Sequence, residues 1–280
     1  MDDNIFDRYT IPVAEWVETG VDWLQDNAAE IFLAVRWPIE FVLDGFEALM
    51  LQLPWYIVVL LIMAIGWLRN GWKIGLISGV CLMLIGFLGF WESTMTTLSM
   101  IVTAVAFCVV IGVPLGILSA TNDRIEGTVR PLLDAMQTIH PFVYLVPIVI
   151  FFRVGNVPGT MATIIFALPP IVRLTNLGIR QVPHDVVEAG KAFGSSNRQL
   201  LFDVQLPLAL STIMAGLNQT LMLALSMVVI VALIGGGGLG EQIFRSVGRV
   251  DTGGAVASGL AVMLLAIVLD RISQVQRRAA

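Results

Sequence analysis

The sequence predicts an all-α integral membrane protein of about seven transmembrane helices preceded by an amphipathic helix, and three observations carry that prediction. Of 280 residues, 57% are hydrophobic and only 13% charged, where an ordinary soluble domain carries about a quarter charged residues. Mean hydropathy is +0.85. The apolar stretches cover most of the chain and leave no room for a separate water-soluble catalytic domain. Chemistry that needs such a domain is expected from a partner.

Residues 1–50 hold eleven of the 21 acids and two of the 16 bases, Arg8 and Arg36, so this segment carries −9 and the remainder +4. From Val13 to Val35 the apolar residues Val13, Trp16, Val17, Val21, Leu24, Ile31, Phe32 and Val35 recur at helical spacing, while Glu18, Asp22, Asp26 and Glu30 line another face. Two readings are open. The helix lies on a membrane surface, outside the cytoplasm because an anionic inner leaflet repels its acids, or it is a solvated tail packed on the rest of the protein. Trp16, Trp23 and Trp37 suit the interface. The MDDN start has neither a positive n-region nor an adjoining apolar run, so a cleaved signal peptide is not expected.

Seven candidate spans follow, judged against the roughly 20 apolar residues a helix needs to cross hydrocarbon: Pro54 to Leu68, Ile74 to Trp91, Thr94 to Leu118, Pro141 to Phe152, Gly159 to Val172, Leu208 to Ile234 and Gly253 to Leu269. The fourth and fifth are short and carry Pro147, Pro169 and Pro170. Kinked or broken helices lining a cavity are expected there, since a lipid-facing helix cannot leave the freed carbonyls unpaired.

Orientation follows from the bases in the short connections. With the N-terminus outside, the cytoplasmic segments hold eleven of the sixteen: Arg69, Lys73, Arg124, Arg130, Arg173, Arg180, Lys191, Arg198, Arg271, Arg277 and Arg278. Arg8, Arg36, Arg153, Arg245 and Arg249 fall outside. The C-terminus is then cytoplasmic, and no basic run suggests nucleic acid.

Several motifs are weighed and set aside. Gly235, Gly237 and Gly240 spell GxGxxG, but they follow a membrane span where a dinucleotide fold needs a strand, and Glu241-Gln242 stand where a P-loop needs Lys and Ser or Thr. These glycines let the backbone turn at the outer end of a span. His140 and His184 lie on separate loops without ligand-spaced Cys or carboxylate partners, so no metal site is expected. Cys81 and Cys108 sit inside apolar spans and indicate no disulfide framework. Gly112 and Gly116 form GxxxG, a close-packing signal. Asn218, Gln219, Thr220 and Ser226 are polar within a span and either hydrogen-bond between helices or, for Asn218 and Ser226, line a substrate path. Phe142 and Tyr144 offer aromatic faces to a quaternary ammonium, a contact worth ~0.5 to 2 kcal/mol, or act as packing and interface anchors. Met222 neighbours this path, and with Met227 also reads as core.

The most polar part of the C-terminal half is EAGKAFGSSNRQLLFDVQLP, Glu188 to Pro207. It reads as two short helices, Val186 to Phe193 and Asn197 to Gln205, joined by a turn at Gly194-Ser195-Ser196, with Ser196 as N-cap and Pro207 as the stop. As physics alone, this is a surface hairpin without a partner or a rigid docking knob.

Glu188-Ala189-Gly190, then Gly194, Val204 and Leu206-Pro207, match the spacing EAA-x3-G-x9-I-x-LP of ABC importer permeases, with Gly190 in place of an alanine and Val204 in place of isoleucine. The runs FVYLVPIVIFF, FALPPIVRLTNLGIRQVP and LPLALSTIMAGLNQTLMLALSMVVIVALIG extend the resemblance over roughly residues 94–274, to the permeases of glycine betaine, proline betaine and choline importers. The resemblance implies a type I importer core at 94–274 with coupling helices at 184–207, two extra membrane helices at 51–93 and an acidic extracytoplasmic segment at 1–50. It also implies that Glu188, Ala189, Gly190, Gly194, Arg198, Leu206 and Pro207 dock on an ATP-binding subunit. The implied assembly pairs two copies of this chain with two ATP-binding subunits and an extracytoplasmic substrate-binding protein in a bacterial inner membrane. By the same resemblance, ATP and Mg are expected on the partner subunit, and this chain is expected to bind no cofactor and not to be an enzyme. The substrate class that the resemblance implies is a compact quaternary amine such as glycine betaine, proline betaine, choline or carnitine, or the related trimethylamine oxide. A passive channel and an intramembrane hydrolase are the rivals, and the second lacks GxSG or paired aspartates with a base at matching depth.

Overall fold

The computed structural model describes residues 12–274. Arg8, Arg277 and Arg278 of the charge bias, the MDDN start, and the Val13 and Asp26 side chains lie outside the described residues. Among those described, the chain is helical from end to end: α1 Val13–Gln52, α2 Trp55–Asn70, α3 Trp72–Phe87, α4 Trp91–Thr121, α5 Asp123–Thr138, α6 Pro141–Phe152, α7 Asn156–Arg180, α8 His184–Ala192, α9 Asn197–Ala232, α10 Leu239–Gly248 and α11 Thr252–Ser273.

The centre is built by α4, α7 and α9, and small residues let the three backbones meet. A Cβ at Gly112 would strike Ile171, one at Gly116 would lie 2.8 Å from the Val172 carbonyl, and one at Gly216 would lie 3.3 Å from that of Pro170. This register makes α4 and α7 parallel and α9 antiparallel to both. In lipid, where burial against a neighbour gains no hydrophobic driving force, such close approach is what holds helices together. The GxxxG expectation is met by this packing.

Four helices, α4, α7, α9 and α11, are long and apolar enough to cross a membrane, or up to six spans if the bent pairs α1–α2 and α5–α6 each count as one. Helix α3, Trp72–Phe87, is a further, shorter apolar helix. Residues Pro54 to Leu68 and Pro141 to Phe152 do not stand as straight spans, because their helices join the preceding ones at 110° and 97°. The fourth expected span is indeed broken, but at Ile139-His140, with Pro147 inside intact helix. Pro169 and Pro170 do not break α7, which runs 25 residues. Packing between α4 and α9 offsets the lost backbone bonds, as neighbouring helices do in membranes. The amphipathic segment expected at Val13 to Val35 continues through Pro38 as a 40-residue helix. Its later part buries Ile39 and Leu43, whereas Trp16, Trp23 and Trp37 are exposed.

Two ends of the bundle can be distinguished. At one, the ends of α4 and α7 and the start of α9 gather Arg69, Lys73, Arg124, Arg130, Arg173, Arg180, Arg198 and Arg271; Asn70 donates to the Arg271 carbonyl there at 2.6 Å. At the other, Arg36 pairs with Glu40 and donates to the Phe152 carbonyl, and the Gly235–Gly238 turn is held by Asn156 and Thr97. The grouping of bases anticipated from the sequence is therefore a feature of the fold.

Candidate functional site

The polar hairpin folds as a rigid knob. Helix α8 ends in a Schellman motif: Gly194 takes φ +82, its N–H reaches the Lys191 carbonyl at 2.9 Å, and the Ser195 N–H reaches that of Gly190 at 3.1 Å. A left-handed residue satisfies the orphan carbonyls of the last turn, and glycine is the residue that adopts it without strain. Ser196 and Gln199 then form a reciprocal capping box that opens α9. Across the hairpin Leu200 is buried and packs on Gly190, where a Cβ would come within 2.8 Å of its Cδ1.

Pro207 does not end the second helix. The chain winds as a π-helix over Leu200–Gln205 and continues as α-helix to Ala232. The wider turn carries the Leu206 N–H to the Leu201 carbonyl, five residues back, so a proline can follow without its ring meeting the carbonyl it would otherwise clash with. The knob and a membrane helix are thus one continuous rod.

The side chains named from the sequence divide by exposure. Glu188, Ala189 and Arg198 are exposed, and Glu188 lies 3.3 Å from His184 on the same helix. Gly190 faces inward, Leu206 is half-buried, and Pro207 borders an open groove of about 790 Å³ with Ser211, Asn218 and Ser273. The residue that sequence reasoning missed is Phe193, 91% exposed at the tip beside Gly194. An aromatic immediately before the glycine stop of a polar hairpin was its available signal.

The five residues considered for a substrate path do not form one cluster within the chain. Phe142 is exposed and stacks on His140 with ring centroids 5.0 Å apart, and the Tyr144 hydroxyl is buried without a hydrogen-bond partner. Both sit on α6, which packs on α7 and α1. Asn218, Met222 and Ser226 share one face of α9. Asn218 donates to Asp270 at 3.4 Å and accepts from Ser273, both on α11, so interhelical bonding is realised at this position. Ser226 donates to the Leu223 carbonyl, and Met222 is exposed rather than core.

The glycine loop offers no phosphate cradle. The N–H groups of Gly235, Gly236, Gly237 and Leu239 already donate to Ala232, Val231, Asn156 and Thr97.

Residues 112–280 match the family described as the binding-protein-dependent transport system inner membrane component. The chain belongs to that family.

Among its relatives in this transport family, the glycine betaine/proline betaine transport system permease protein ProW of Escherichia coli (strain K12) is 51% identical over 96% of this chain and 76% of its own. The glycine betaine/carnitine transport permease protein GbuB of Listeria monocytogenes is 46% identical over 97% of both chains. In three dimensions the chain resembles the inward-facing MetNI methionine ABC transporter, with a TM-score of 0.55, 25% identity and coverage of 63% of this chain and 91% of that one. The resemblance drawn from Glu188 to Pro207 is borne out, and the chain is a multi-pass, inner-membrane permease subunit of ABC importer type.

Proposed function

We propose that this permease carries a compact quaternary amine, of the class named for its relatives, through a pore formed by two copies of the chain. An extracytoplasmic binding protein delivers the substrate. Two ATP-binding subunits, which hold ATP and Mg, dock on the knobs of the two copies from the cytoplasm, so the knob end faces inward and the N-terminal helix lies outside. ATP binding draws the docked subunits together, the knobs move with them, and the permease passes from inward-open to outward-open.

The observation that carries this reading is the knob itself. Its shape is fixed by a Schellman motif, a capping box and the Leu200 contact, while Phe193, Glu188 and Arg198 are exposed at its surface. An exposed aromatic with charged neighbours on a pre-organised scaffold is the composition of an interface anchor. Residues around Asn218, Met222 and Ser226 on α9, with Phe142 and Tyr144 on α6, are the proposed substrate contacts.

The test is uptake by the reconstituted complex with its own binding protein, with glycine betaine, choline, carnitine and trimethylamine oxide competing in turn. Competition by members of this class, dependent on ATP, is expected. Flux through the permease alone, at a rate indifferent to ATP, overturns the reading in favour of a channel.

A further inference from the structure

Arg180 is the last residue of α7, just before the knob, and its guanidinium is shared among three elements. Nε donates to Asn176 on its own helix at 2.9 Å. Nη2 reaches the Ser119 carbonyl in the last turn of α4 at 2.9 Å, Asp123 Oδ1 at 2.6 Å and Glu126 Oε2 at 2.8 Å, both in the first turn of α5. Asn176 in turn donates to the other Glu126 oxygen at 3.1 Å. Two turns back along α7, Arg173 pairs with Asp134, two to three turns further along α5. The two bridges therefore fasten both ends of α5 to α7.

Little else does so. Leu133 is the one buried residue of α5 among those described, and between the bridges lies a cavity of about 330 Å³ bordered by Val129, Arg130, Leu133 and Val172. A close-packed seam transmits strain rigidly and resists rearrangement. A seam of exposed ion pairs over a void can slide and re-form, because each pair contributes little to stability. At its far end α5 meets the 97° bend at Ile139-His140 that leads into α6.

We propose that Arg180 is a positioning residue for transport: it ties the movement of the knob to α5, and through α5 to the bend and to α6. The proposal rests on the docking reading of the knob. When the knob swings, the end of α7 moves with it, Arg180 carries the first turn of α5, and the angle at Ile139-His140 changes. The guanidinium divides its contacts between two nitrogens, Nε fixed on Asn176 while Nη2 meets the Ser119 carbonyl and the Asp123 and Glu126 carboxylates, an arrangement that the single nitrogen of a lysine does not reproduce.

The experiment measures uptake and ATP hydrolysis together in the full complex for Arg180→Gln and for the double variant Asp123→Asn with Glu126→Gln. Both variants are expected to assemble with the ATP-binding subunit and to hydrolyse ATP, while substrate carried per ATP falls about fivefold or more, the scale of a typical coupling energy. An unchanged ratio in either variant overturns the proposal, as does a loss of uptake that in both variants only tracks loss of assembly. If Arg180→Gln alone fails to assemble, the double variant decides: full coupling in it overturns the proposal, and a lowered ratio supports it. Phe193→Ala, run beside them, reads the docking assignment separately through binding of the ATP-binding subunit.

Discussion

Gly190 and Leu200 touch across the knob, and a methyl at Gly190 would sit 2.8 Å from Leu200 Cδ1. The obstructing atom is the free end of a side chain, which can rotate away, whereas replacing a helical glycine by alanine gains up to about 1 kcal/mol. The two effects nearly cancel. Gly190→Ala is expected to keep uptake within about twofold of the parent, and Gly190→Leu, which displaces Leu200 altogether, to weaken binding of the ATP-binding subunit in a pull-down.

At Gly194 the outcome is set by backbone. Nothing lies within 4 Å of a Cβ there, but φ is +82. Alanine or valine should cost about 1–2 kcal/mol in this conformation, and asparagine less. Association with the ATP-binding subunit is expected to fall in the order Gly, Asn, Ala, Val, and equal association across the series would remove the Schellman turn from the docking account.

Phe193 is too exposed to support the fold. Phe193→Ala should leave thermal stability of the purified permease unchanged while weakening its complex by about 2 kcal/mol, roughly thirtyfold in Kd. Titration of the ATP-binding subunit against labelled permease checks this.

Gly116 presents the opposite case, because the atoms in the way include the Val172 carbonyl oxygen at 2.8 Å and the Thr175 Cβ at 2.5 Å. Backbone cannot rotate aside. Gly116→Ala should destabilise by about 1–3 kcal/mol, seen as a lower melting temperature in detergent without a specific effect on docking.

Asn218 bonds to α11 on both sides of its amide. Asn218→Ala should lose about 0.6 kcal/mol and at most about 1.7, the range found for such bonds within membranes. A much larger fall in uptake at preserved stability would assign the residue to the substrate path.

Much of this fold was legible because lipid imposes long apolar runs: α4 and α11 contain the expected stretches with a few residues added at their ends, and α9 covers the expected stretch from Leu208 as far as Ala232. Helix α5 was hidden. Its acids and bases read as a loop, although Ile125, Val129, Leu132 and Met136 keep helical spacing behind the N-cap Asn122. The passage through Pro207 was hidden for another reason: a proline after a polar segment signals a stop, and only the π-helical turn, which leaves no mark in composition, lets the rod continue. In the knob, glycine and serine chemistry made the turn readable. The exposure of Phe193 was not, since tip and core aromatics look alike until the chain is folded.

The π-helical turn also fixes an angle. It holds one more residue than an α-helix would use for the same advance, so the knob is turned by about 100° relative to the lower face of α9. Removing a single residue from positions 202–205 would let the rod relax to regular winding and point Phe193 to a different quarter of the compass, with the Schellman turn, the capping box and the residues Gly190 and Leu200 all retained. The direction in which the knob points is set by one residue's worth of helical phase.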